Sequence, residues 1–414
     1  MSNTLKFIDM VAREAQSIAH EKASFIGTTD LQYDDAYAKS GAKIGNALRV
    51  RKPNQYLRRT GSRVMDVQDQ NEAVQTITMA TQDGVDMRFN SAELTLDTDS
   101  PSDVAAFSKR YIEPAVSVLV SGIESDYIAA STKATYNVAG TAGTAIVDLS
   151  AVGNARARLN QGLAPKDGNR FIQADSTTMA SIVNGLKGLF QDSSQIKSQY
   201  REGMMGRTAG LDWYENDRMR TQSNTSDVSV TTASDAAVTD GGTNITLASV
   251  ATATTAGMIF TVAGVYACHP ETKASLGYLQ PYVVTTGGTT TNAVSPATVL
   301  TGARQNVCSA AGAQLAATAY NGTSVAVTFS GAASTDYIQP LVYHKEAFQF
   351  VTADLPLMDD AHKCARRMKD GLSLRVWMAS DIRNDELLMR IDILYGMAAL
   401  RPEWACRLIG SASA

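Results

Sequence analysis

Apolar residues recur at spacings of three and four near the start of the chain. Leu5, Ile8, Val11, Ala15 and Ile18 fall on one face, with Asp9, Glu14 and Glu21 off it, which predicts a helix over 3–22. The polar stretch 27–45 carries few large apolar residues and reads as an extended or mobile arm. Leu48 and Val50 then alternate with Arg49 and Arg51, the period of a short strand. Over 72–96, Gln75, Ile77 and Met79 alternate with Val74, Thr76 and Thr78, and Val85, Met87 and Phe89 continue the alternation. Asp83-Gly84 between these runs is a turn dipeptide, so a hairpin reversing there is expected.

Ser102 follows Pro101 and is placed to cap a long helix. Val104, Phe107, Tyr111, Leu119, Ile123 and Tyr127 recur at helical spacing out to about residue 130. Pro114 lies inside this pattern and predicts a kink or joint, because it removes one backbone donor. Asp148 and Asp175 are expected N-caps of helices over 148–160 and 175–190. Residues 200–220 read as loop with short elements.

The pattern changes abruptly after this point. Across 222–335 the only charged side chains are Asp227, Asp235, Asp240, Glu271, Lys273 and Arg304. Short β-runs at 258–262, 282–285 and 325–329 are separated by Gly, Asn and Ser clusters. These predict a small antiparallel barrel or sandwich inserted into another domain. From Pro340 the composition returns to normal, with strands expected at 347–351, 372–378 and 389–395 and a polar connection at 381–385.

Length and charge narrow the classes. The chain has 414 residues, 44% of them hydrophobic and 19% charged, enough for two or three domains. A net charge of −4 supplies no overall field for holding nucleic acid. No run of about 18 apolar residues occurs, so no membrane-spanning helix is expected. The first residues lack the apolar stretch of a signal peptide, and a cytoplasmic protein is expected. The four cysteines, Cys268, Cys308, Cys364 and Cys406, form no CxxC pair and read by default as free buried thiols.

Chemical signatures are sparse. No phosphate loop, dinucleotide fingerprint, zincin motif or nucleophile elbow occurs. Cys268-His269 are adjacent and point to opposite faces of a strand, while His362 and Cys364 lack a second ligand pair. No catalytic residue, metal or cofactor is therefore assigned. The clearest charged feature is the basic stretch Arg49, Arg51, Lys52, Arg58, Arg59 and Arg63, which holds no acid. It reads as a solvated loop, a phosphate contact or a contact with an acidic neighbour, and the subunit contact is preferred. The N-terminal helix either packs on its own domain or presents itself to a partner.

Three stretches carry a resemblance. Residues 45–53, GNALRVRKP, are similar to the lead-in of an extended loop. Residues 107–115, FSKRYIEPA, look like the start of a spine helix. Tyr395-Gly396 followed by Arg401-Pro402-Glu403 looks like a closing strand and turn. In this order the chain resembles the coat proteins of short-tailed phages related to the Salmonella phage P-twenty-two. That resemblance implies an α+β chain with the Hong Kong 97-type capsid fold and an inserted all-β, barrel-like domain. It implies an N-terminal arm at 1–40, extended loop and hairpin at 41–90, and peripheral domain with spine helix at 91–145. The first part of an axial domain would follow at 146–226, the insert at 227–336, and the return at 337–414.

It further implies copies arranged as hexamers and pentamers of an icosahedral virion shell around double-stranded DNA. Assembly would take place in the bacterial host cytoplasm, on a scaffolding protein and with a portal protein, without a membrane. The shell would form as a precursor and then expand. On this view Arg49, Arg51, Lys52, Arg58, Arg59 and Arg63 contact the next subunit, and Asp9, Glu14 and Glu21 are candidates for scaffold docking. The competing expectations are a tail-tube or surface-layer subunit, and a cytoplasmic α/β enzyme with an inserted lid.

Overall fold

The computed structural model describes residues 7–33, 47–61, 64–65, 67–68, 72–90, 108–186, 206–219, 221–224, 228–231, 239–248, 250, 252–315, 325–357, 363–369 and 372–411. In chain order its elements are α1 (Phe7–Lys22), α2 (Ser24–Thr28), β1 (Asp30–Tyr33), β2 (Ala47–Arg51), β3 (Val74–Thr78) and β4 (Thr81–Asn90). A π-helical turn (Ser108–Ile112) leads into α3 (Glu113–Ala134), then β5 (Val138–Gly140), α4 (Leu149–Gln161), β6 (Arg170–Ala174) and α5 (Ser176–Leu186). Next come β7 (Arg207–Thr208), β8 (Leu211–Glu215), β9 (Thr221–Ser223), β10 (Ser229–Thr231), β11 (Gly242–Thr246), β12 (Ile259–Cys268), β13 (Ser275–Thr286) and β14 (Thr291–Thr298). The chain closes with β15 (Val307–Cys308), β16 (Ala326–Phe329), β17 (Asp336–Ile338), β18 (Leu341–His344), β19 (Phe348–Ala353), β20 (Lys363–Lys369), β21 (Leu372–Asp381), β22 (Glu386–Ala399) and β23 (Ala405–Ile409). The chain is α+β and divides into two compact units.

The first unit comprises Met1–Val50, Gln75–Tyr127 and Gln349–Ala398. Its sheet runs β1-β19-β22-β21-β20, with β4 paired to β22. The apolar stripe of α1, with Val11, Ala15, Ile18 and Ala19 all buried, lies against β20 and β21, and Gln16 Nε2 donates to Leu372 O at 2.7 Å. The apolar face of α1 thus packs on its own unit. Leu119, Val120 and Ile123 of α3 converge with Ile26, Phe350 and Ile393 around a residual void of only about 10 Å³. An aromatic run Phe25–Tyr127–Phe350–Tyr395, with ring centroids 4.8, 5.3 and 5.4 Å apart, fills the centre. The buried Glu124 carboxylate accepts from Ser24 Oγ at 3.1 Å and from the Phe25 amide, so it occupies the start of α2.

Two expectations are corrected in this unit. The polar stretch from Gly27 is not wholly an arm, because Asp30–Tyr33 pairs in parallel with β19, Asp30 opposite Gln349. Residues 34–46 lie outside the described residues. Nor do the strands of the expected hairpin pair with each other, since β3 pairs with β2 and β4 with β22, and Asp83-Gly84 is not a turn. β4 runs straight through both residues and pairs with β22 along its whole length, Gly84 opposite Asp392. Gly84 serves close approach, since a Cβ there would lie 2.8 Å from Ile391 O. The break falls at Met79-Ala80 instead. Pro114 is the joint it was expected to be, standing where the π-helical turn gives way to α3. Ser102, Val104 and Phe107 lie outside the described residues.

The second unit comprises Arg51–Val74, Ile128–Phe348 and Ala399–Ala414. One sheet runs β5-β23-β18-β6-β8-β7, with α4 packed against β23 and β5. Asp148 caps α4 through Ser150 N at 2.9 Å, and Asp175 caps α5 through Thr178 N at 3.0 Å. A second sheet, β10-β16-β12-β13-β14-β11 with β15 on β12, contains the low-charge segment. Its ends meet where Ala248 N donates to Thr231 O at 2.7 Å, which closes the sheet toward a barrel. Phe260, Tyr282, Phe329, Val262, Val284 and Val327 form its core. The two-stranded ladder of β9 and β17 stands at its chain entrance and exit.

Candidate inter-subunit surface

The basic stretch lies on the excursion between β2 and β3, two strands that pair with each other. Lys52 N donates to Ala73 O at 2.8 Å, extending the ladder by one rung. Past Pro53 the backbone has no regular partner, and side chains take over. Gln68 clamps Leu57 at two points, accepting from its N–H at 2.8 Å and donating to its carbonyl at 2.7 Å. The guanidinium of Arg59 turns inward and donates to Val64 O. Local polar contacts therefore hold this loop in shape.

The six predicted cations are not equivalent. Arg49 and Arg58 are exposed, and Lys52 is half-buried. Arg51 is exposed yet lies 3.4 Å from Glu72, two residues before the returning strand. Arg59 is exposed but engaged with Val64, and Arg63 lies outside the described residues. The loop also carries an apolar feature that the charge pattern concealed. Tyr56 is 57% exposed, and Val64, Met65 and Val67 are 75%, 80% and 80% exposed. Several large apolar side chains open to solvent on one short loop mark an interaction surface. The signal was in the sequence: the stretch 64–67 reads VMDV, directly beyond Arg63.

Among the acidic candidates, Glu14 is exposed on α1, while Asp9 and Glu21 lie on the same helix with side chains outside the described residues. The apolar face of α1 is occupied within its own unit, so only its polar face remains to meet a partner.

The outer face of the first unit's sheet carries a line of charges. Asp86 on β4 takes a bidentate pair from Arg390 on β22, at 2.7 and 3.0 Å. Arg390 Nε is 3.6 Å from Asp392, and Asp392 is 2.6 Å from the buried Arg375 of β21. The hydrogen bond from Arg390 holds the Asp86 carboxyl below its ordinary range. Beside this line Met87, Trp377 and Leu388 floor a shallow groove of about 300 Å³. His362 lies outside the described residues, and Cys364 is half-buried on β20. Among the described residues no cluster of three or more His, Cys, Asp or Glu is arranged to hold a metal, and no helix is long and apolar enough to cross a membrane.

The family model described as P22 coat protein, gene protein 5, matches residues 62–410. The chain belongs to this coat protein family. It is a major coat protein of a bacteriophage, its copies build the capsid shell, and its place is the virion capsid. Family membership, together with the α+β element order, identifies the fold as the Hong Kong 97 type. The tail-tube, surface-layer and lid-bearing enzyme readings give way to it. No curated protein matches the chain. Among solved structures the coat protein is similar to Mycobacterium phage Che8 (10% identity, 89% of this chain and 85% of that one, TM-score 0.45). It is also similar to the mature capsid of bacteriophage PhiM1 (11% identity, 94% and 87%, TM-score 0.43) and to the capsid of the cyanophage P-SCSP1u (11% identity, 89% and 84%, TM-score 0.45).

Proposed function

We propose that this coat protein assembles in the host cytoplasm as a precursor shell of hexamers and pentamers on a scaffolding protein. The shell incorporates a portal protein and expands as double-stranded DNA enters. The domain divisions read from the sequence are proposed to hold, with the loop of 41–90 laid over a neighbouring subunit and 227–336 acting as the insert. The observation that carries the reading is the loop itself. It is braced internally by Gln68 and Arg59, yet leaves Tyr56, Val64, Met65 and Val67 in solvent. Bracing lowers the entropy cost of docking, and the apolar side chains supply the affinity. Arg49, Arg51, Lys52, Arg58, Arg59 and Arg63 orient the contact and make it salt-sensitive. Modest individual interfaces suit a shell that corrects errors and later shifts. Asp9, Glu14 and Glu21 are proposed to dock a basic segment of the scaffold.

Electron microscopy of the purified chain tests the reading, with closed particles tens of nanometres across expected with or without scaffold. Arg58→Glu with Met65→Asp should leave a folded subunit that no longer forms shells. Normal particles from that variant would remove the loop from the interface. Only small oligomers from the unmodified chain under all assembly conditions would remove the shell-assembly reading.

A further inference from the structure

The sheet of the first unit carries an apolar groove on its outer face and an apolar knob at one end. Cross-strand register puts Trp377 opposite Arg390 and Ala379 opposite Leu388, with Asp86 and Arg88 of β4 beyond them. These side chains share one face, because residues two apart on a strand do. The chain covers part of that face itself. Residues 354–356 cross it, where Ser373 Oγ donates to Asp354 at 2.5 Å, Arg375 Nη1 to Pro356 O at 2.9 Å and Arg366 Nη1 to Leu355 O at 3.1 Å. Beyond Arg375, among the described residues, the groove of about 300 Å³ over Trp377, Ala379 and Leu388 stands open, with Leu388 43% exposed.

The knob is the turn 382–385 between β21 and β22, which begins where Asp381 pairs with Glu386. Its shape is fixed from within. Asp381 accepts from Arg383 N at 2.9 Å and from Asn384 Nδ2 at 2.7 Å, and Asp385 holds φ 51°. Ile382 is left 95% exposed, and no large apolar side chain among the described residues is more so. A turn already held in shape loses little entropy when it docks. Charge then separates the apolar features that could fill the groove. β20, the edge strand beside Trp377, carries Lys363, Arg366, Arg367 and Lys369 and no acid, and only Arg366 is drawn off, to Asp354 at 3.1 Å. The stretch 49–72 holds six cations against the three acids Asp66, Asp69 and Glu72, so β20 repels it. The knob and its flanks, 381–386, hold Asp381, Asp385 and Glu386 against Arg383 alone, so β20 attracts them.

We propose that Ile382 of one copy enters the Trp377 groove of a second copy, in a contact separate from the one assigned to the basic loop. Asp385 and Glu386 of the entering turn then approach β20 at Lys363, the exposed residue next to Cys364, which stands opposite Trp377 in the ladder. At the groove's rim Asp86 and Arg390 already satisfy each other, so no charge is stranded when the groove is covered. The contact joins two different patches, so it can repeat from copy to copy through a shell. One buried Ile makes a modest contact, which lets a misplaced subunit leave during assembly.

The test uses the full chain and the native Cys364 as reporter, since it is half-buried on the groove's face. Chains carrying Ile382→Cys with Cys364→Ser are mixed with unmodified chains, assembled, treated with a short bismaleimide and mapped by mass spectrometry. The introduced thiol should link to Cys364, and in this mixture such a link can only join two copies. Ile382→Asp, a change in a solvent-exposed turn, should slow particle formation, followed by light scattering, by about tenfold or more. Lys363→Glu should slow it several-fold, and adding Asp385→Lys should restore it. No link to Cys364 in any assembled form overturns the proposal, and so does normal assembly of Ile382→Asp. Normal assembly of Ile382→Asp beside failure of the Arg58→Glu, Met65→Asp variant would remove the knob and keep the loop. The link forming in small oligomers of a chain that makes no shells would keep the contact and remove the shell-assembly reading.

Discussion

Arg407 donates from Nη1 to the carbonyl of Gly257 at 2.8 Å, joining the last strand of one sheet to the segment that leads into β12. The same nitrogen reaches Gln339 Oε1 at 2.9 Å, and Nε reaches Thr135 O at 2.7 Å. Arg407 is fully buried, and burial pushes its guanidinium down to about 9, still charged at neutral pH. No carboxylate offsets that charge among these contacts, so three oxygen acceptors do. Gly257 holds φ 99°, and a Cβ there would lie 3.0 Å from Lys133 Cγ. The low-charge sheet is thus fixed at its base by an arginine from the far end of the chain.

Arg407→Met keeps most of the volume but strands Thr135 O, Gly257 O and Gln339 Oε1. Loss of about 2–4 kcal/mol is expected, the cost of leaving several buried acceptors unpaired. Urea unfolding of the purified subunit measures it. A change within about 0.5 kcal/mol, the range of ordinary surface substitutions, would show that the carbonyls find other partners.

Gly84 and Gly153 make a matched pair of glycine substitutions. A Cβ at Gly84 lies 2.8 Å from Ile391 O and also meets the Asp392 carboxylate, inside a continuous ladder. A Cβ at Gly153, within α4, meets nothing within 4 Å. Gly84→Ala should cost about 1–3 kcal/mol through overpacking. Gly153→Ala should stabilise by about 0.5–1 kcal/mol through helix propensity. Thermal unfolding of the two variants should move in opposite directions. Equal shifts would contradict the strand path through Gly84.

These glycines show what the sequence could and could not disclose. Asp148 and Asp175 were legible as caps because a cap bonds only two or three residues ahead. Asp83-Gly84 misled for the opposite reason. Its local turn preference yields to a partner strand some three hundred residues away, which no local window contains. β1 was missed likewise, since Asp30 finds its place only beside Gln349. The basic loop was legible as charge, but Glu72, the partner of Arg51, sits just before the returning strand, so register was needed to see the pair. The apolar tip at Val64, Met65 and Val67 was present in the sequence. Exposure alone separates such residues from core ones.

Acid should weaken one corner of the second unit in a defined window. Asp167 accepts from Asn169 N at 3.1 Å and Asn169 Nδ2 at 2.8 Å, and lies 3.1 Å from His344 Nε2. Chiefly the Asn169 amide, with help from its side chain and His344, holds the carboxyl down at about 2. A carboxyl lowered in the folded state stabilises above its unfolded value near 4 and loses that contribution as pH falls through about 2. The carboxylate is 43% exposed, so solvent screening keeps the effect small. Asp167→Asn should be slightly less stable than the parent at roughly pH 5 and equal to it near pH 2. A gap that stays constant across that range would contradict the assignment.

The charges on the first unit's sheet should behave unequally despite their proximity. Arg375 and Asp392 are 4% and 3% exposed and 2.6 Å apart, whereas Arg390 and Asp86 are 48% and 64% exposed. An exposed pair returns about 0–1 kcal/mol, because water already solvates both ions. A buried pair broken from one side leaves the other ion without solvent, at about 3–5 kcal/mol. Arg375→Met should fall at the lower end of that range, because Arg390 Nε remains 3.6 Å from Asp392. Arg390→Met alone should cost about 1 kcal/mol or less, since Arg375 still satisfies Asp392. The double variant removes both cations and should cost more than the sum of the two by about 1 kcal/mol, the coupling expected of residues sharing one partner. Chemical denaturation of the three variants closes the cycle. Strict additivity would mean that Asp392 does not link the two arginines.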